Sequence, residues 1–241
     1  MKNKIIGILT FIAISTASFA QTADAVFDKY FEATGGKTLW RGVTTYSMKQ
    51  SYRGNSAADY DMEIKGSFAD ASLYKAKTIL KRTFIYGVKG TEGWLKVPLG
   101  SSDKATQYET KDLSEKEQLN MRRELKETLL PFLDYQDKGY IATLVGSETM
   151  NDSKVSQVEL SGNGIKYNLY FDDVTGLLVR KKLTLANKEV ITEDYTKYAD
   201  SAYGIKYPSE STYLSSVDKR TIKLTTNVVF NDKIGAEFFS R

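Results

Sequence analysis

The fold class of this chain is decided by one stretch, IKYNLYFDDVTGLLVRKKLTL, which runs from Ile165 to Leu185. Its first part, Ile165–Phe171, alternates apolar residues on one side of an extended chain with mostly polar residues on the other. Such a period of two is typical of a half-buried strand. The segment DDVTG that follows, Asp172–Gly176, carries the residues of a tight turn, and Leu177–Leu185 is again strand-like. The stretch therefore predicts an antiparallel hairpin with one face toward a core.

The same alternation extends in both directions from this hairpin. It is clear in Tyr60–Phe68, and in Thr221–Phe230 the residues Ile222, Leu224, Val228 and Phe230 share one side. Less regular strands are predicted at Val43–Arg53, Leu73–Tyr86, Glu92–Val97, Tyr140–Met150, Lys154–Leu160, Val190–Tyr198 and Ile205–Tyr213. About eleven strands in sequence, mostly linked as hairpins, predict one large curved antiparallel sheet.

Two helices interrupt the strands. The first is predicted over Ala23–Thr34, where glycine at Gly35 and Gly36 ends the helical pattern. The second is predicted over Glu115–Leu130 and ends at Pro131. It begins with a capping box, in which Ser114 bonds the amide of Glu117 and the Glu117 side chain reaches back. Its apolar residues keep helical spacing: Met121, Leu125, Leu129 and Phe132.

The first twenty residues, MKNKIIGILTFIAISTASFA, have the three parts of a signal peptide. Lys2 and Lys4 precede an uncharged apolar run, and small residues stand at Ser18 and Ala20. Cleavage after Ala20 is therefore expected. The apolar run is too short to cross a bilayer, which takes about 20 residues. One domain is expected over 21–241, and the mature protein is expected to be soluble and periplasmic.

The composition excludes several kinds of chemistry. The chain has no His and no Cys, which excludes His-based triads, thiol nucleophiles and His- or Cys-ligated zinc. Gln21 follows the predicted cleavage site where an acylated protein would have Cys, so lipidation is not expected. The formal charge is +4 and falls to +2 without Lys2 and Lys4. Because acidic and basic residues are interspersed, nucleic acid is not an expected partner.

Three further features allow more than one interpretation. The carboxylates could supply a glycosidase pair, but most of 30 acidic residues in a sheet-rich protein are solvated charges. Asp172 and Asp173 lack the oxygen-rich spacing of a calcium loop and are interpreted as a turn. The many aromatic residues either fill a core or line an apolar cavity. A sheet of about eleven strands favours an enclosed space.

Several motifs together resemble a known family. They are KYFEATGGKTLW (29–40) with VTTYSMKQSYRG (43–54), GTEGWLKVP (90–98), LVGSETM (144–150), YFDDVTGLLVRK (170–181), GIKYP (204–208) and VVFNDKIGAEFF (228–239). In these the chain resembles the outer-membrane lipoprotein-sorting proteins of Bacteroidetes type, over nearly the whole mature length. That family is similar in fold to the periplasmic lipoprotein carrier LolA, the fold shared with LolB and LppX.

The resemblance implies an unclosed antiparallel β-barrel, mainly β with some α, whose concave face is covered by amphipathic helices. It implies a periplasmic carrier of an acylated or otherwise hydrophobic ligand, with lipid or lipoprotein acyl chains and inner- and outer-membrane sorting proteins as partners. Helix Glu115–Leu130 would act as a lid. No cofactor, metal or catalytic residue is expected. The residues predicted to line the cavity are Tyr86, Trp94, Leu125, Leu129 and Phe132.

The alternative is a non-enzymatic periplasmic sensor or protein-interaction module on the same fold. A continuous apolar cavity favours the carrier, whereas a filled core with an exposed apolar patch favours the interaction module. An enzyme acting on polysaccharide ranks third.

Overall fold

Thirteen strands form one antiparallel sheet in the part of the chain that the computed structural model describes, which is residues 22–54, 56, 58–100 and 107–241. The predicted signal peptide lies outside these residues. The strands are β1 (Thr45–Arg53), β2 (Tyr60–Ser67), β3 (Ser72–Ile79), β4 (Arg82–Lys89), β5 (Glu92–Leu99), β6 (Gln107–Asp112), β7 (Ile141–Met150), β8 (Ser153–Gly162), β9 (Ile165–Asp172), β10 (Leu178–Thr184), β11 (Val190–Asp200), β12 (Lys206–Ser215) and β13 (Thr221–Phe230).

The sheet is two meanders joined side by side. Strands β1–β6 and β7–β13 each pair in sequence order, and β1 pairs with β13 to connect the two halves. The edges are therefore β6 and β7, which do not pair with each other among the described residues. The chain between these two edges contains a helix that lies over the sheet. The predicted fold class, a mainly β and unclosed antiparallel barrel with helices on its concave face, is confirmed.

The strand count is thirteen and not eleven, for two reasons. The predicted strand Leu73–Tyr86 is a hairpin of β3 and β4, which turns at Leu80 and Lys81 with φ of 50° and 61°. This pair of left-handed residues makes a two-residue hairpin loop without the glycine or asparagine that usually marks one. Strand β6 was not predicted because it is an exposed edge strand whose sequence, QYETKD, has no alternation of apolar residues.

The turn between β9 and β10 forms as predicted. One carboxylate oxygen of Asp172, Oδ1, accepts hydrogen bonds from the amides of Val174 and Thr175 and from the Thr175 hydroxyl. Gly176 follows with φ of 71°. The carboxylate is thus committed to the turn, as in other Asx turns.

Helix α1 (Ala23–Ala33) confirms the first helix prediction and is capped by the Thr22 side chain, which accepts from the Ala25 amide at 3.2 Å. Gly35 follows with φ of 110°, and a Cβ there would lie 2.4 Å from the carbonyl oxygen of Gly204. Glycine is required at that position both by conformation and by this close approach. A short helix that the sequence did not predict, α2 (Lys37–Arg41), comes next.

Helix α3 (Glu115–Glu127) has the predicted capping box, with Ser114 and Glu117 bonded in both directions. It ends three residues before the predicted Leu130. Pro131 disfavours helical backbone in the residue before it, which shortens the helix. A C-terminal 3₁₀ helix, Ala236–Phe239, ends the chain's regular structure.

Candidate functional site

The concave face of the sheet is closed over β7–β9 by a packed cluster of aromatic rings. Phe132 stacks on Phe27 of α1 with ring centroids 4.8 Å apart, and it meets Tyr30 and Phe171 edge to face at 5.0 and 5.4 Å. All four side chains are at most 2 % exposed. Rings at these distances and angles fill space as a protein core does. This part of the face is filled by the protein itself.

Helix α3 covers a different part of the face and leaves a cavity of about 420 Å³ beneath it. Its floor comes from β1–β3 and β9–β13, and α3 with the residues just after it forms the roof. The apolar and aromatic lining residues are Trp40, Met48, Tyr52, Tyr60, Met62, Ile64, Leu129, Tyr167, Leu183, Ile191, Tyr195, Tyr207, Pro208, Tyr213, Leu224, Val228 and Phe230. The volume lies within the range of small-molecule pockets in proteins, about 300–1,000 Å³.

Strand register explains how residues distant in sequence share this floor. Directly opposed residues of an antiparallel pair lie on the same face. Met48 of β1 is opposed by Ile64 of β2 and by Val228 of β13, which makes one apolar row. Gln50 lies two residues after Met48 on β1, and the period of two places it on the same face.

A row of tyrosines lines one end of the cavity. Tyr52 stacks on Tyr60 with ring centroids 4.3 Å apart and meets Tyr213 edge to face at 5.8 Å. Burial raises the pKa of Tyr213 to about 12, and Glu193 nearby adds to the shift. These phenols therefore stay protonated at neutral pH and present apolar ring faces with hydroxyl groups that can donate.

Ionised side chains in the lining occur as three matched pairs. Lys75 of β3 donates to both oxygens of Glu124 on α3, at 2.6 and 2.8 Å. Lys181 and Glu193, on neighbouring strands, approach within 3.3 Å and are only 18 % and 17 % exposed. The third pair joins Arg123 to Glu127 at 3.7 Å. The larger cavity is therefore close to electrically neutral.

Glu127 ties the end of α3 to the sheet. Its carboxylate is buried and accepts hydrogen bonds from the hydroxyls of Tyr140, at 2.7 Å, and Tyr167, at 2.5 Å. Burial raises the pKa of both phenols, and the carboxylate raises it further. With two hydroxyl donors and the Arg123 cation at 3.7 Å, this buried carboxylate is a fixed point of the structure, because removing these partners would leave a buried charge uncompensated.

A second cavity of about 210 Å³ lies beside the first and shares Met62 and Lys75 with it. Lys77, Tyr86 and Met121 complete its lining. Lys77 is opposed by Met62 across the β2–β3 pair, so its side chain starts from the concave face.

The five residues that the sequence predicted for the cavity lie in different places. Leu129 lines the larger cavity and Tyr86 the smaller one. Leu125 is buried on α3, and Phe132 belongs to the ring cluster under α1. Neither Leu125 nor Phe132 lines either cavity in the described residues.

Trp94 lies on the convex face. It is opposed by Gly87 of β4, and Gly87 is opposed by Tyr74 of β3. The neighbouring residue Tyr86 is opposed by the cavity residue Lys75, so Tyr86 and Trp94 lie on opposite faces. A Cβ on Gly87 would lie 2.2 Å from the Trp94 ring, so the indole covers that glycine. Tyr74 contacts Phe238 of the 3₁₀ helix at 5.2 Å. The C-terminal segment thus covers the convex face near Trp94.

Most of the residues that form the cavity floor were not predicted individually from the sequence. The tyrosines at 60, 207 and 213 and the pair Lys181–Glu193 all fall in predicted strands. The signal that could have found them is the alternation itself, which places Tyr60 with Met62 and Ile64. Lysine and glutamate on an inward face could not be found in this way, because charged residues in a strand are usually exposed to solvent.

Comparisons with known proteins identify the fold. Neither a family model nor a curated protein matches this chain. Among solved structures, a DUF1329 family protein from Desulfovibrio piger matches with a TM-score of 0.58 and 10 % identity, covering 92 % of this chain and 98 % of that one. A LolA superfamily protein from Nitrosomonas europaea matches at 0.54 and 14 %, covering 92 % and 99 %. A proposed outer membrane lipoprotein-sorting protein domain from Vibrio parahaemolyticus matches at 0.54 and 12 %, covering 90 % and 95 %.

The chain therefore has a LolA-like fold. At these identities the likeness concerns the fold alone, and function rests on the site. The described helices include none with the length and apolarity needed to span a membrane. The described residues also contain no cluster of three or more acidic side chains arranged to hold a metal ion.

Proposed function

We propose that this protein is a periplasmic carrier or binding protein for an acylated or otherwise hydrophobic ligand. The observation that carries the proposal is the cavity of about 420 Å³ between α3 and the concave face of the sheet. Aromatic and aliphatic residues make up more than half of its lining residues, and its ionised groups are matched in pairs. Such a lining suits an apolar chain better than a polar substrate.

The energetics suit reversible binding. Burying an acyl chain of about fifteen methylenes contributes roughly 12 kcal/mol at about 0.8 kcal/mol each. The cost of association is about 4–15 kcal/mol, which is of the same order. A carrier has to release its cargo, and this balance permits that.

Export and sorting complete the proposal. The signal peptide predicted at Met1–Ala20 supports a periplasmic location for an unacylated single domain, residues 21–241. The Vibrio parahaemolyticus protein of similar fold is described as a lipoprotein-sorting domain. We therefore propose lipoprotein acyl chains as one class of cargo, with membrane-bound sorting proteins as partners.

Helix α3 acts as the lid in this proposal. Besides the bond from Lys75 to Glu124, it is held to the sheet by Arg122, which donates to the carbonyl oxygen of Gly90 at 2.8 Å. Both contacts involve partly exposed charged side chains, which contribute little stability each. Displacing the part of α3 that precedes the buried Glu127 would open the cavity without disturbing the ring cluster under α1.

A disulfide between α3 and β5 tests the lid. An ideal Cβ on Gly93 would lie 2.5 Å from Cγ of Gln118, so the two Cβ positions fall within disulfide range, about 3.5–4.5 Å. The chain has no cysteine, so the double variant Gly93→Cys/Gln118→Cys would contain only the engineered pair. Release of an environment-sensitive fatty probe is expected to slow at least tenfold after oxidation and to recover after reduction.

The single variants Gly93→Cys and Gln118→Cys are the matched controls, because each keeps one substitution without the crosslink. Equal release rates in the oxidised and reduced double variant would show that cargo does not pass under α3. A probe that fails to bind the unmodified protein would overturn the carrier proposal itself. Native mass spectrometry of protein purified from its own periplasm would then show whether any lipid accompanies it.

A further inference from the structure

One cation beside the cavities has no anionic partner. Lys77 forms no ion pair within 4.0 Å and no side-chain hydrogen bond with any described residue. Its Nζ lies instead 4.1 Å from the ring centroid of Tyr60, which lines the larger cavity. A cation over a tyrosine face is stabilised only modestly, and the ring does not neutralise its charge.

This contrasts with the other charges facing the same space. Lys75, Arg123 and Lys181 are each matched by a glutamate, at 124, 127 and 193 respectively. The larger cavity is therefore neutral, and the surplus of one positive charge is located at Lys77 in the smaller cavity. A single anion placed there would complete the pairing.

The volume of the two cavities can be compared with the volume of a ligand. The two cavities adjoin through Met62 and Lys75 and measure about 420 and 210 Å³. At about 30 Å³ for each water-sized group, together they hold on the order of twenty such groups. This space accommodates one alkyl chain with a small head group.

We propose that the ligand is a single-chain amphiphile whose anionic head group, a carboxylate or a phosphate, binds Lys77 while its chain occupies the larger cavity. This inference rests on the proposed function and adds the class of ligand. A neutral head group would leave the Lys77 charge unmatched, and a cationic one would be repelled by it. A charge-assisted hydrogen bond to an ammonium is stronger than a hydrogen bond between neutral groups, so an anionic head group gains affinity at this position.

The test is displacement of an uncharged apolar dye, N-phenyl-1-naphthylamine, by amphiphiles that share a twelve-carbon chain. Dodecanoate and dodecyl phosphate carry the anionic heads, monododecanoylglycerol is neutral and dodecyltrimethylammonium is cationic. Both anions are expected to bind roughly tenfold or more tightly than the neutral compound. Comparing the two anions distinguishes a carboxylate head from a phosphate head.

Variants at Lys77 assign the effect. Lys77→Met is expected to weaken the anions about tenfold and to leave the neutral amphiphile unchanged, whereas Lys77→Arg is expected to retain the preference. Lys77→Glu is expected to favour the cationic amphiphile. Lys49→Met is the matched control, because Lys49 is an exposed lysine on the convex side of β1.

The outcomes separate the two proposals. Equal binding of anionic and neutral amphiphiles by the unmodified protein would overturn the assignment of Lys77 and keep the carrier. The assignment of Lys77 would also be overturned if Lys77→Met lowered the affinity for anionic and neutral amphiphiles equally while its unfolding curve matched that of the unmodified protein. Failure of every amphiphile to displace the dye would overturn both proposals.

Discussion

Helix α1 and helix α3 both cover the concave face of the sheet, but they make different kinds of contact with it. Under α1 the rings of Phe27, Phe132 and Phe171 interlock at 4.8–5.8 Å. Under α3 the contacts nearest the cavity are the ion pair of Lys75 with Glu124 and the side chains that line an open space. One helix completes a core, and the other stands over a cavity.

The difference shows how a single sheet provides both stability and a binding space. Interlocked rings lose many close contacts if they separate, so the α1 side is expected to stay closed. Partly exposed ion pairs exchange protein partners for water at little cost, so the part of α3 before the buried Glu127 is expected to open more readily. Stability and access are thus assigned to different helices.

The largest effect on stability is expected in the ring cluster under α1. Phe132→Ala should lower the free energy of unfolding by about 3–5 kcal/mol, because it leaves a void among buried rings. Denaturant unfolding curves measure this loss. Probe release from the folded protein should remain unchanged, since Phe132 does not line the cavity. A small loss of stability together with faster release would place Phe132 in the lid and reverse the comparison.

The next effect probes the segment that joins the two sides. Lys138 donates to the carbonyl oxygen of Leu130 at 2.8 Å, and burial lowers its pKa to about 8. The unfolded chain, with an ordinary lysine pKa near 10.4, binds more protons than the folded protein above pH 8. Stability should therefore rise between pH 7 and 9, by about 1.4 kcal/mol.

Unfolding curves across this range, for the unmodified protein and for Lys138→Met, provide the measurement. The variant should show a flatter profile, because it has no proton to lose. Above about pH 10 both proteins should lose stability, since buried tyrosines such as Tyr167 have raised pKa values in the folded state. An identical rise in the variant would exclude Lys138 as its source.

A smaller change acts on α3 alone. Ser114→Ala removes the hydroxyl half of the capping box and should cost about 1 kcal/mol. Because α3 is the proposed lid, the variant should also release the probe faster. Thermal unfolding and stopped-flow release measure the two effects. Ser51→Ala, which removes a hydroxyl bonded to Asp61 on the convex side, is the control and should leave release unchanged.

The smallest effect on stability is expected at the cavity itself. Leu129→Ala should cost less than about 1 kcal/mol, because the side chain is only partly buried and already faces open space. Ligand release should accelerate severalfold, as changes in a binding surface act mainly on the off-rate. A loss of 2 kcal/mol or more with unchanged release would mean that Leu129 completes a packed core, as Phe132 does.

Local order in this protein could be predicted from sequence because its causes are local. The capping box at Ser114 and Glu117, the Asp172–Gly176 turn and the strand alternation depend on neighbours a few residues apart. Each was confirmed. The two missing strands are also explained locally, since Leu80–Lys81 and the charged β6 lack the residues that usually mark a turn or a strand.

The candidate site depended on contacts between residues far apart in the chain. Alternation shows that Trp94 and its neighbours take opposite faces, but this sheet is covered on both faces, by α3 within and by the 3₁₀ helix outside. A buried tryptophan therefore fits either face. Only the register with Gly87 and Tyr74 assigns Trp94 to the convex side.

The charged residues of the cavity show the same contrast between what the sequence predicts and what the tertiary structure decides. Lys75 and Glu124 are 49 residues apart, and each by itself has the character of a solvated surface residue. The sequence alone determined a curved antiparallel sheet with two amphipathic helices, because hydrophobic period and capping act over short distances. The tertiary structure decided which helix packs and which covers a cavity, because that depends on which side chains meet across the sheet.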